Sequence, residues 1–423
     1  MISVCFYFEV HQPFRIKPYS FFEIGRNPFY LDADKNRAIV KKVGDKCYMP
    51  MTRLLLDLIK YYGEDFKCSF SITGTAIEQF KAWYPEVLDN FKRLADTGNV
   101  EFIGETYYHT LSSLVSEREF RAQVKMHTDL MKKEFNQTPT AFRNTELIYN
   151  NHIAWLAHDL GFKTILLEGA EKILGWRSPN FPYRPRYAQQ LKCLLKNYKL
   201  SDDIAFRFSN KTWKEYPLTT EKFSHWVHNI AGNGNVVNLF MDFETFGEHQ
   251  WEDSGIFNFM RALPRALMRH HDFRFRTVSE AASKYETVGE IDTNEPVSWA
   301  DLERDISAWL GNSIQRQALG ALYELENDVL TVGDTELLDV FRKLQTSDHF
   351  YYMCTKYYND GDVHKYFSPY ASPYDAYIYY MNVLQDFRQR LKKKMREHFL
   401  LPRETTRSSN SGNSLAIREK FEA

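Results

Sequence analysis

The sequence of 423 residues has almost no net charge, few cysteines and no long apolar run. Its 54 basic and 55 acidic residues nearly cancel, so electrostatics gives no reason to expect nucleic acid or an anionic membrane as the main partner. No stretch approaches the roughly 18 apolar residues of a membrane span. The first residues also lack the basic start, apolar segment and small-residue cleavage site of a secretory signal. We therefore expect a cytoplasmic protein, and the charge balance suits a neutral polymer as its partner.

The few cysteines indicate the same compartment. They are odd in number, lie far apart and form no CxxC pair: Cys5, Cys47, Cys68, Cys193 and Cys354. Such cysteines are typical of reduced, buried thiols, and they predict neither a disulfide framework nor a zinc cluster.

Aromatic residues, in contrast, are abundant at 16% of the sequence. Aromatic rings form either a large core or platforms that stack on the apolar faces of sugars. Trp213, Trp251 and Trp299 are candidates for such platforms, and core packing is the alternative for each of them.

Strand-like and helix-like segments alternate through the first two thirds of the chain. Short runs rich in β-branched and aromatic residues predict strands over residues 2–10, 66–72, 100–104, 140–143, 164–167 and 236–243. Apolar residues at helical spacing predict helices over residues 48–62, 75–95 and 117–135. This alternation predicts a parallel sheet that is either closed into a barrel or doubly wound. The nucleotide-binding fingerprints GxGxxG and GxxxxGK[ST], which would support the doubly wound sheet, do not occur after a strand.

The pattern changes from about Asp301 onward. Helices are predicted over residues 301–326, 335–346 and 373–398, and strand-like runs disappear. We therefore predict a catalytic barrel over residues 1–290 and a helical bundle over residues 291–402 that completes the cleft. The remaining tail, residues 403–423, is polar with few apolar anchors and is expected to be disordered.

Acidic side chains follow two of the predicted strands, at the edge where a barrel carries its active site. Glu146 is either catalytic or neutralised by nearby Arg143. Asp242 and Glu244 are two residues apart, so they should share one side of an extended segment. Two carboxylates on one side repel and raise one pKa, as a general acid requires, whereas a helix cap or a loop salt bridge is the structural alternative.

A metal site is the rival arrangement. Three histidines and one carboxylate are candidate ligands of a zinc or manganese site: His11, His109, Asp242 and His249. No tight ligand pair such as HxxxH or HxxEH supports it. The GxSxG elbow that a Ser-His-Asp hydrolase would need does not occur in the sequence. We therefore expect no metal or other cofactor.

Four segments, taken in order, resemble the signature motifs of glycoside hydrolase family 57. They are His11-Gln12-Pro13, residues 104–109 (GETYYH), residues 142–149 (FRNTELIY) and residues 241–249 (MDFETFGEH). The similarity runs from residue 1 to roughly residue 400, and the likeness is to the α-amylase type.

The resemblance implies an incomplete (β/α)7 barrel followed by a helical domain, and a retaining mechanism without a catalytic metal. By motif position, Glu146 matches the nucleophile and Asp242 the general acid/base. In a retaining glycosidase the two carboxyl groups lie about 5–5.5 Å apart. The acid must be held protonated near neutral pH. We expect Glu244 to raise the pKa of Asp242 by like-charge repulsion.

Further residues, some in these segments and some in other parts of the similarity, are expected to bind substrate or support the two carboxylates: His11, Gln12, Glu105, His109, Arg143, Arg207, Glu244, Trp309, Asp348 and His349. Arg143 and Arg207 would keep Glu146 ionised, because a guanidinium lowers a carboxyl pKa. The last three residues come from the helical region and would complete the pocket. A purely structural role is the alternative for each supporting residue.

These observations predict an enzyme that hydrolyses α-glucans such as starch, glycogen or maltodextrin through a glycosyl-enzyme intermediate. A 4-α-glucanotransferase or branching enzyme would use the same carboxylates, with a sugar instead of water as the acceptor. A non-catalytic glucan-binding relative is the alternative from another class, and the intact Glu146 and Asp242 argue against it.

Overall fold

The computed structural model describes residues 1–356 and 368–400. The predicted tail over residues 403–423 lies outside this part. The described strands are β1 (Ile2–Val10), β2 (Cys68–Ile72), β3 (Val100–Phe102), β4 (Ala141–Arg143), β5 (Thr164–Glu168), β6 (Arg184–Pro185), β7 (Lys192–Lys196), β8 (Val236–Asp242), β9 (Phe273–Phe275) and β10 (Glu290–Ile291).

The described helices follow the strands through the first two thirds and then continue alone. They are α1 (Ala33–Val43), α2 (Met49–Tyr62), α3 (Gly74–Trp83), α4 (Pro85–Asp96), α5 (Glu117–Phe135), α6 (Asn151–Asp159), α7 (Glu171–Leu174), α8 (Tyr198–Ala205), α9 (Thr220–His228), α10 (Ile256–Met268), α11 (Val278–Lys284), α12 (Ser307–Leu310), α13 (Ser313–Tyr323), α14 (Glu326–Val332), α15 (Thr335–Lys343), α16 (Ser347–Tyr351) and α17 (Pro373–Leu400). No helix of the described ranges is long and apolar enough to cross a membrane.

Seven parallel strands of the described residues form a ring. One sheet pairs β3 with β2, β2 with β1, and β1 with β8, and a second pairs β4 with β5 and β5 with β7. Between β3 and β4, the two sheets meet where Gly104 N donates to Ala141 O and Arg143 N donates to Gly104 O, both at 2.8 Å. Between β7 and β8 they meet where Asn197 N donates to Asn238 O at 2.9 Å. Because these seams lack a full ladder, the ring is the incomplete (β/α)7 barrel that the resemblance implied.

Strand β1 shows how the sequence places the two sides of the barrel wall. Side chains alternate across a strand. Phe6 and Phe8 pack outward among the helices. Cys5 and Tyr7 point to the barrel interior. Parallel strands covered on both faces are apolar throughout, which is why residues 2–10 could be predicted as a strand.

The structure differs from the sequence prediction at three elements. The helix expected over residues 75–95 is divided into α3 and α4, because Pro85 lacks the N–H that a continuous helix needs and instead begins α4. The helix expected over residues 301–326 is divided into α12 and α13, and α12 begins only at Ser307, since Asp301 and Arg304 have left-handed backbone conformations. Strand β7 was not predicted, because its apolar core of three residues is short and lies between two lysines.

The C-terminal helices pack beside the barrel. Helices α13 and α14 lie along α17, and α12 contacts α16. The start of α16 is tied to the barrel edge, since Ser347 N donates to His109 O at 2.9 Å and the Thr346 hydroxyl donates to Tyr108 O at 2.9 Å. This contact brings residues of the helical region over the carboxyl ends of the strands.

Candidate active site

On five barrel strands, the last side chain that faces the barrel interior at the carboxyl end is charged. Each of the five lies two residues beyond an apolar side chain of the barrel interior. They are Glu9 on β1, Arg143 on β4, Glu168 on β5, Lys196 on β7 and Asp242 on β8. Direct pairing in the sheets places Glu9 beside Asp242 and Glu168 beside Lys196. The carboxyl edge of the barrel therefore carries a ring of charges of both signs, at the edge that serves barrel enzymes as the active site.

A cavity of about 880 Å³ lies over this edge. Its wall includes Glu146 and Asp242 from the barrel, and Trp309 and Asp348 from the helical region. Of the six non-glycine residues with positive φ in the described ranges, four line this cavity: His109, Glu146, Asp301 and Arg304. Left-handed backbone is unfavourable for such residues and concentrates at functional sites. Volume, charge and backbone conformation thus mark the same place.

Glu146 lies in a tight turn, Thr145–Leu147, directly beyond β4, with a φ of 59°. Its Oε2 accepts a hydrogen bond from the indole N–H of Trp299 at 2.7 Å. Its Oε1 lies 3.2 Å from Nε2 of His109. The carboxylate is thereby held between the barrel wall and the segment that leads to α12.

The environment of Glu146 contains opposing influences on its pKa. Burial is the largest influence and raises the pKa. The Arg143 guanidinium and the Trp299 hydrogen bond act in the opposite direction and favour the ionised carboxylate. The net effect is a raised pKa, which would be higher still without these two partners.

Asp242 ends β8 and also has a raised pKa. Burial is the largest cause, and the largest like-charge contribution comes from Glu146, whereas His249 acts in the opposite direction. We expected Glu244 to supply this repulsion. In the structure the chain turns at Phe243–Thr245, so Glu244 does not continue the row of Asp242 along the strand.

Glu244 is itself the more strongly affected carboxyl. Burial, followed by the charge of Asp242, raises the pKa of Glu244 to about 8. The Tyr48 hydroxyl hydrogen-bonds to its Oε1. Nε2 of Gln12 donates to the same Tyr48 hydroxyl at 2.9 Å. Gln12 and Glu244 therefore form one polar network beside Asp242, and Asp242 raises the pKa of Glu244 rather than the reverse.

Arg143 is fully buried between acidic groups. Its guanidinium forms an ion pair with Glu9 and lies 4.0 Å from Oε2 of Glu105. Glu105 is also completely buried and lies behind His109 rather than on the cavity wall. Glu9 lines the cavity, yet we did not predict it as a site residue, although its place in the alternation of β1 puts it on the inward side.

Two histidines stack in the cavity. The rings of His11 and His109 lie 4.0 Å apart between centroids. Nε2 of His11 lies 2.9 Å from Oδ2 of Asp348. Burial opposes ionisation of Asp348, but the charge of His11 and its hydrogen bond hold the pKa of that carboxyl below its usual range. Burial lowers the pKa of His109 to about 3, so this imidazole is neutral at physiological pH.

Two predicted supporting residues have other roles in the structure. Arg207 lines the cavity, but its Nε donates to Asp203 at 2.6 Å, one helical turn away, so Arg143 is the guanidinium that acts on Glu146. His349 does not line the cavity. Its Nε2 lies 3.1 Å from Lys343 O, and its ring packs against Tyr380. Adjacent sequence positions on a short helix point in different directions, which separates His349 from Asp348.

The three tryptophans considered as sugar platforms differ. Trp213 packs against Trp226, and Trp251 is 63% exposed beside Lys46. Neither lines the cavity in the described residues. Trp299 does line it, with its ring close to Arg143 and Lys196 and its N–H on Glu146. Sequence alone offered no signal for this contact, because 153 residues separate the two side chains.

The rival metal site has a different geometry from the one predicted. Among the described residues, one group of three brings possible ligand atoms within 4.8 Å of one another, and it consists of Glu9, Glu105 and His109. The predicted set of His11, His109, Asp242 and His249 does not form such a group. Arg143 contacts Glu9 directly, so a protein cation already neutralises this acidic group.

A buried ionic cluster completes the barrel edge. Lys196 Nζ lies 2.9 Å from Asp202 and 3.6 Å from Glu168. Arg304 bridges the same two acids, at 2.8 Å from Glu168 and 3.0 Å from Asp202. The cluster links β5, β7, α8 and the segment before α12, and the sequence motifs did not indicate it.

Two carboxylates on one cavity are the groups that most glycoside hydrolases use for catalysis. The chain belongs to glycoside hydrolase family 57, since the family model named Glycosyl hydrolase family 57 matches residues 5–294. This confirms the family, the enzyme class and the fold that the four motifs predicted.

Individual relatives agree with this membership. A protein of Methanocaldococcus jannaschii named "Putative alpha-amylase" is 45% identical over 406 residues, covering 92% of this chain and 85% of that protein. The crystal structure of the family 57 branching enzyme of Thermococcus kodakaraensis superimposes with a TM-score of 0.66 at 15% identity, covering 94% of this chain and 91% of that one.

The 4-α-glucanotransferase of Thermococcus litoralis has a TM-score of 0.61 at 15% identity, with 82% of this chain covered. The chain spans 56% of the length of that glucanotransferase. At such low identity both structural likenesses show the fold alone.

Proposed function

We propose that the protein is a retaining α-amylase-like enzyme that hydrolyses α-glucans such as starch, glycogen or maltodextrin. Glu146 is the nucleophile and Asp242 the general acid/base. The observation that carries the proposal is the difference between their surroundings. Glu146 receives a hydrogen bond from Trp299 and the charge of Arg143, which favour its ionised form. Burial raises the pKa of both carboxyls, but at Asp242 the charge of Glu146 adds to this effect, and His249 and Arg143 oppose it only through their charges. Paired acids held in different protonation states are the requirement for this chemistry.

The reaction proceeds in two displacements. Glu146 attacks the anomeric carbon while Asp242 gives its proton to the leaving glycosidic oxygen, so the C–O bond breaks and a glycosyl-enzyme forms. Asp242, now ionised, accepts a proton from water, and the water oxygen displaces Glu146 from the anomeric carbon. Loss of the Asp242 proton in the first step lets the same residue act as the base in the second.

His11, His109 and Asp348 lie beside Glu146 in the same cavity. The neutral imidazole of His109 can hydrogen-bond a sugar hydroxyl without adding charge. We therefore assign these residues to the sugar that is cleaved. The name of the Methanocaldococcus jannaschii relative supports an α-glucan as the substrate.

Transfer to a second sugar is the alternative outcome of the same chemistry. One observation favours it, namely two large apolar side chains that line the cavity while facing solvent. Phe206 is 60% exposed and Leu302 is 78% exposed. Such surfaces suit the apolar face of an acceptor sugar. Incubation with maltoheptaose separates the two activities, because longer products require transfer and exclusively shorter products require hydrolysis.

The role of Glu146 is tested by trapping the intermediate with a fluorinated glycosyl donor and locating the label by peptide mass spectrometry. We expect the label on Glu146 and none on a Glu146→Gln variant. A label on another residue would show that the nucleophile is wrongly assigned. Binding of α-glucans without any label or turnover would instead support the non-catalytic glucan-binding alternative.

A further inference from the structure

Trp299 contacts Glu146 through both its side chain and its backbone. The indole N–H donates to Oε2 of Glu146 at 2.7 Å. The backbone N–H of Trp299 donates to the backbone carbonyl of Glu146 at 3.2 Å. The two hydrogen bonds fix both the carboxylate and the backbone of Glu146. They matter here because the left-handed conformation of Glu146 is unfavourable unless its surroundings hold it.

Trp299 is in turn held by charged residues of the barrel edge. The Arg143 guanidinium lies 5.0 Å from the indole ring centroid, and Lys196 Nζ lies 5.4 Å from it. Both distances are in the range of cation–π attraction. Nη1 of Arg304 donates to the Trp299 carbonyl at 3.0 Å and also to Glu168 at 2.8 Å. Two cations therefore hold the indole and a third holds the backbone of Trp299, and the positions of all three are set by buried acids.

We propose that Trp299 is a positioning residue that orients the Glu146 carboxylate and stabilises its negative charge through the indole N–H. The proposal rests on the proposed role of Glu146 as nucleophile and names the group that prepares it. Trp299 was otherwise a candidate only for stacking on sugar or for core packing, and neither of those roles uses its N–H.

The electrostatics of Glu146 agree with this geometry. Burial is the largest influence on its pKa and raises it, so the ionised carboxylate needs compensation. Arg143 supplies the largest compensation and the Trp299 hydrogen bond the next. Arg143 acts by charge alone, whereas the N–H of Trp299 is directed at one oxygen. Loss of that N–H should therefore raise the pKa of Glu146 and also leave its carboxylate free to change orientation.

The Trp299→Phe variant tests the proposal, because it keeps an aromatic ring near the two cations and removes the N–H. A hydrogen bond to a charged group corresponds to a pKa change of about one unit or more. We expect the acid limb of the kcat/KM profile to move up by about one pH unit and kcat to fall about tenfold or more, with KM changed by less than about threefold. If KM rises while the acid limb stays in place, Trp299 is a sugar platform and the proposal is wrong.

A second variant distinguishes loss of the hydrogen bond from loss of the folded structure. The imidazole of Trp299→His places Nε2 where the five-membered ring of tryptophan places its N–H, so this variant should bring the acid limb back toward the wild-type position. Trp213→Phe is the matched control, because it removes an indole N–H outside the cavity and should leave the acid limb unchanged. An acid limb that moves equally in all three variants would contradict the proposal.

Labelling separates the failure of this proposal from the failure of the proposed function. If the fluorinated donor labels Glu146 in the wild type and the Trp299→Phe profile is unchanged, only the role of Trp299 is wrong. If Glu146 of the wild type is not labelled while the enzyme turns over, the nucleophile assignment is wrong, and the role of Trp299 fails with it.

Discussion

Replacement of Arg143 by methionine tests whether the barrel edge is held by charge. Arg143 is fully buried, and the carboxylates it faces, Glu9 and Glu105, are buried as well. Methionine keeps much of the length of the side chain and removes the charge. The two acids would then share a site without any guanidinium. We expect this change to destabilise the fold and to make its stability depend on pH.

The size of the effect follows from burial. Removing one partner of a buried ion pair costs about 3–5 kcal/mol, because the remaining charge is left unpaired. Burial is the largest influence on the pKa of Glu9 and raises it, and Arg143 is the largest influence that lowers it. The pKa of Glu9 is raised even beside Arg143, and loss of the guanidinium should raise it further, so that the folded variant holds a proton over more of the neutral range than the wild type does. Each proton so taken up changes the free energy of unfolding by about 1.4 kcal/mol per pH unit.

The sign of the pH dependence is fixed by the raised pKa. A carboxyl with a raised folded-state pKa contributes its stability below the unfolded value of about 4.3 and loses it as pH rises through the folded value. The Arg143→Met variant should therefore lose about 3–5 kcal/mol relative to wild type at pH 7, and up to about 2.7 kcal/mol of that loss should be recovered at pH 5.

Urea denaturation at pH 5 and pH 7 measures both numbers. Arg207→Met is the matched control, since Arg207 pairs with Asp203 and its side chain is 35% exposed. A partly exposed pair of this kind should contribute less than the fully buried pair of Arg143. If Arg143→Met lost the same free energy at both pH values, or no more than Arg207→Met, the buried acids would not be the cause of its destabilisation.

The remaining predictions concern the carboxylates and metal dependence. Asp242→Asn should lower kcat by about 10²–10⁴-fold on unactivated α-glucans, the usual contribution of a general acid. Glu244→Gln should retain most activity at pH 6, because a pKa of about 8 keeps Glu244 protonated there. In melting experiments the variant should lose less stability than wild type between pH 7 and pH 9, since it has no carboxyl at this position to ionise in that range. Full activity of Asp242→Asn with inactive Glu244→Gln would reverse their roles. Dialysis against a chelator should leave activity unchanged, and stoichiometric zinc with loss of activity would support the metal-dependent alternative.

The barrel was predictable from sequence because its strands are apolar on both sides and alternate with helices. Strand β1 and helix α5 have the predicted bounds. The predicted helix over residues 75–95 was wrong because the apolar spacing continues across Pro85, where the backbone cannot. Strand β7 was missed because three apolar residues between lysines give too little periodicity, and the inward direction of Lys196 depends on the closed barrel.

The site was predictable where chemistry lies in a motif and unpredictable where it depends on distant contacts. Motif positions brought Glu146, Asp242 and His109 to one cavity. The Trp299 contact with Glu146 joins segments 153 residues apart, and no local pattern indicates it. Arg207 was expected to act on Glu146, but its guanidinium donates a hydrogen bond to Asp203, four residues earlier in the sequence. Side-chain partners of this kind depend on tertiary packing.

The central claim is that Glu146 forms a covalent intermediate and that the configuration at the anomeric carbon is retained. Proton NMR during the first minutes of maltooligosaccharide cleavage measures this directly, because the newly released reducing end has one anomeric form before mutarotation. We predict the α-anomer, as two displacements require. Initial release of the β-anomer would show a single displacement. It would contradict both the role of Glu146 and the carboxyl separation of about 5–5.5 Å that a retaining enzyme needs.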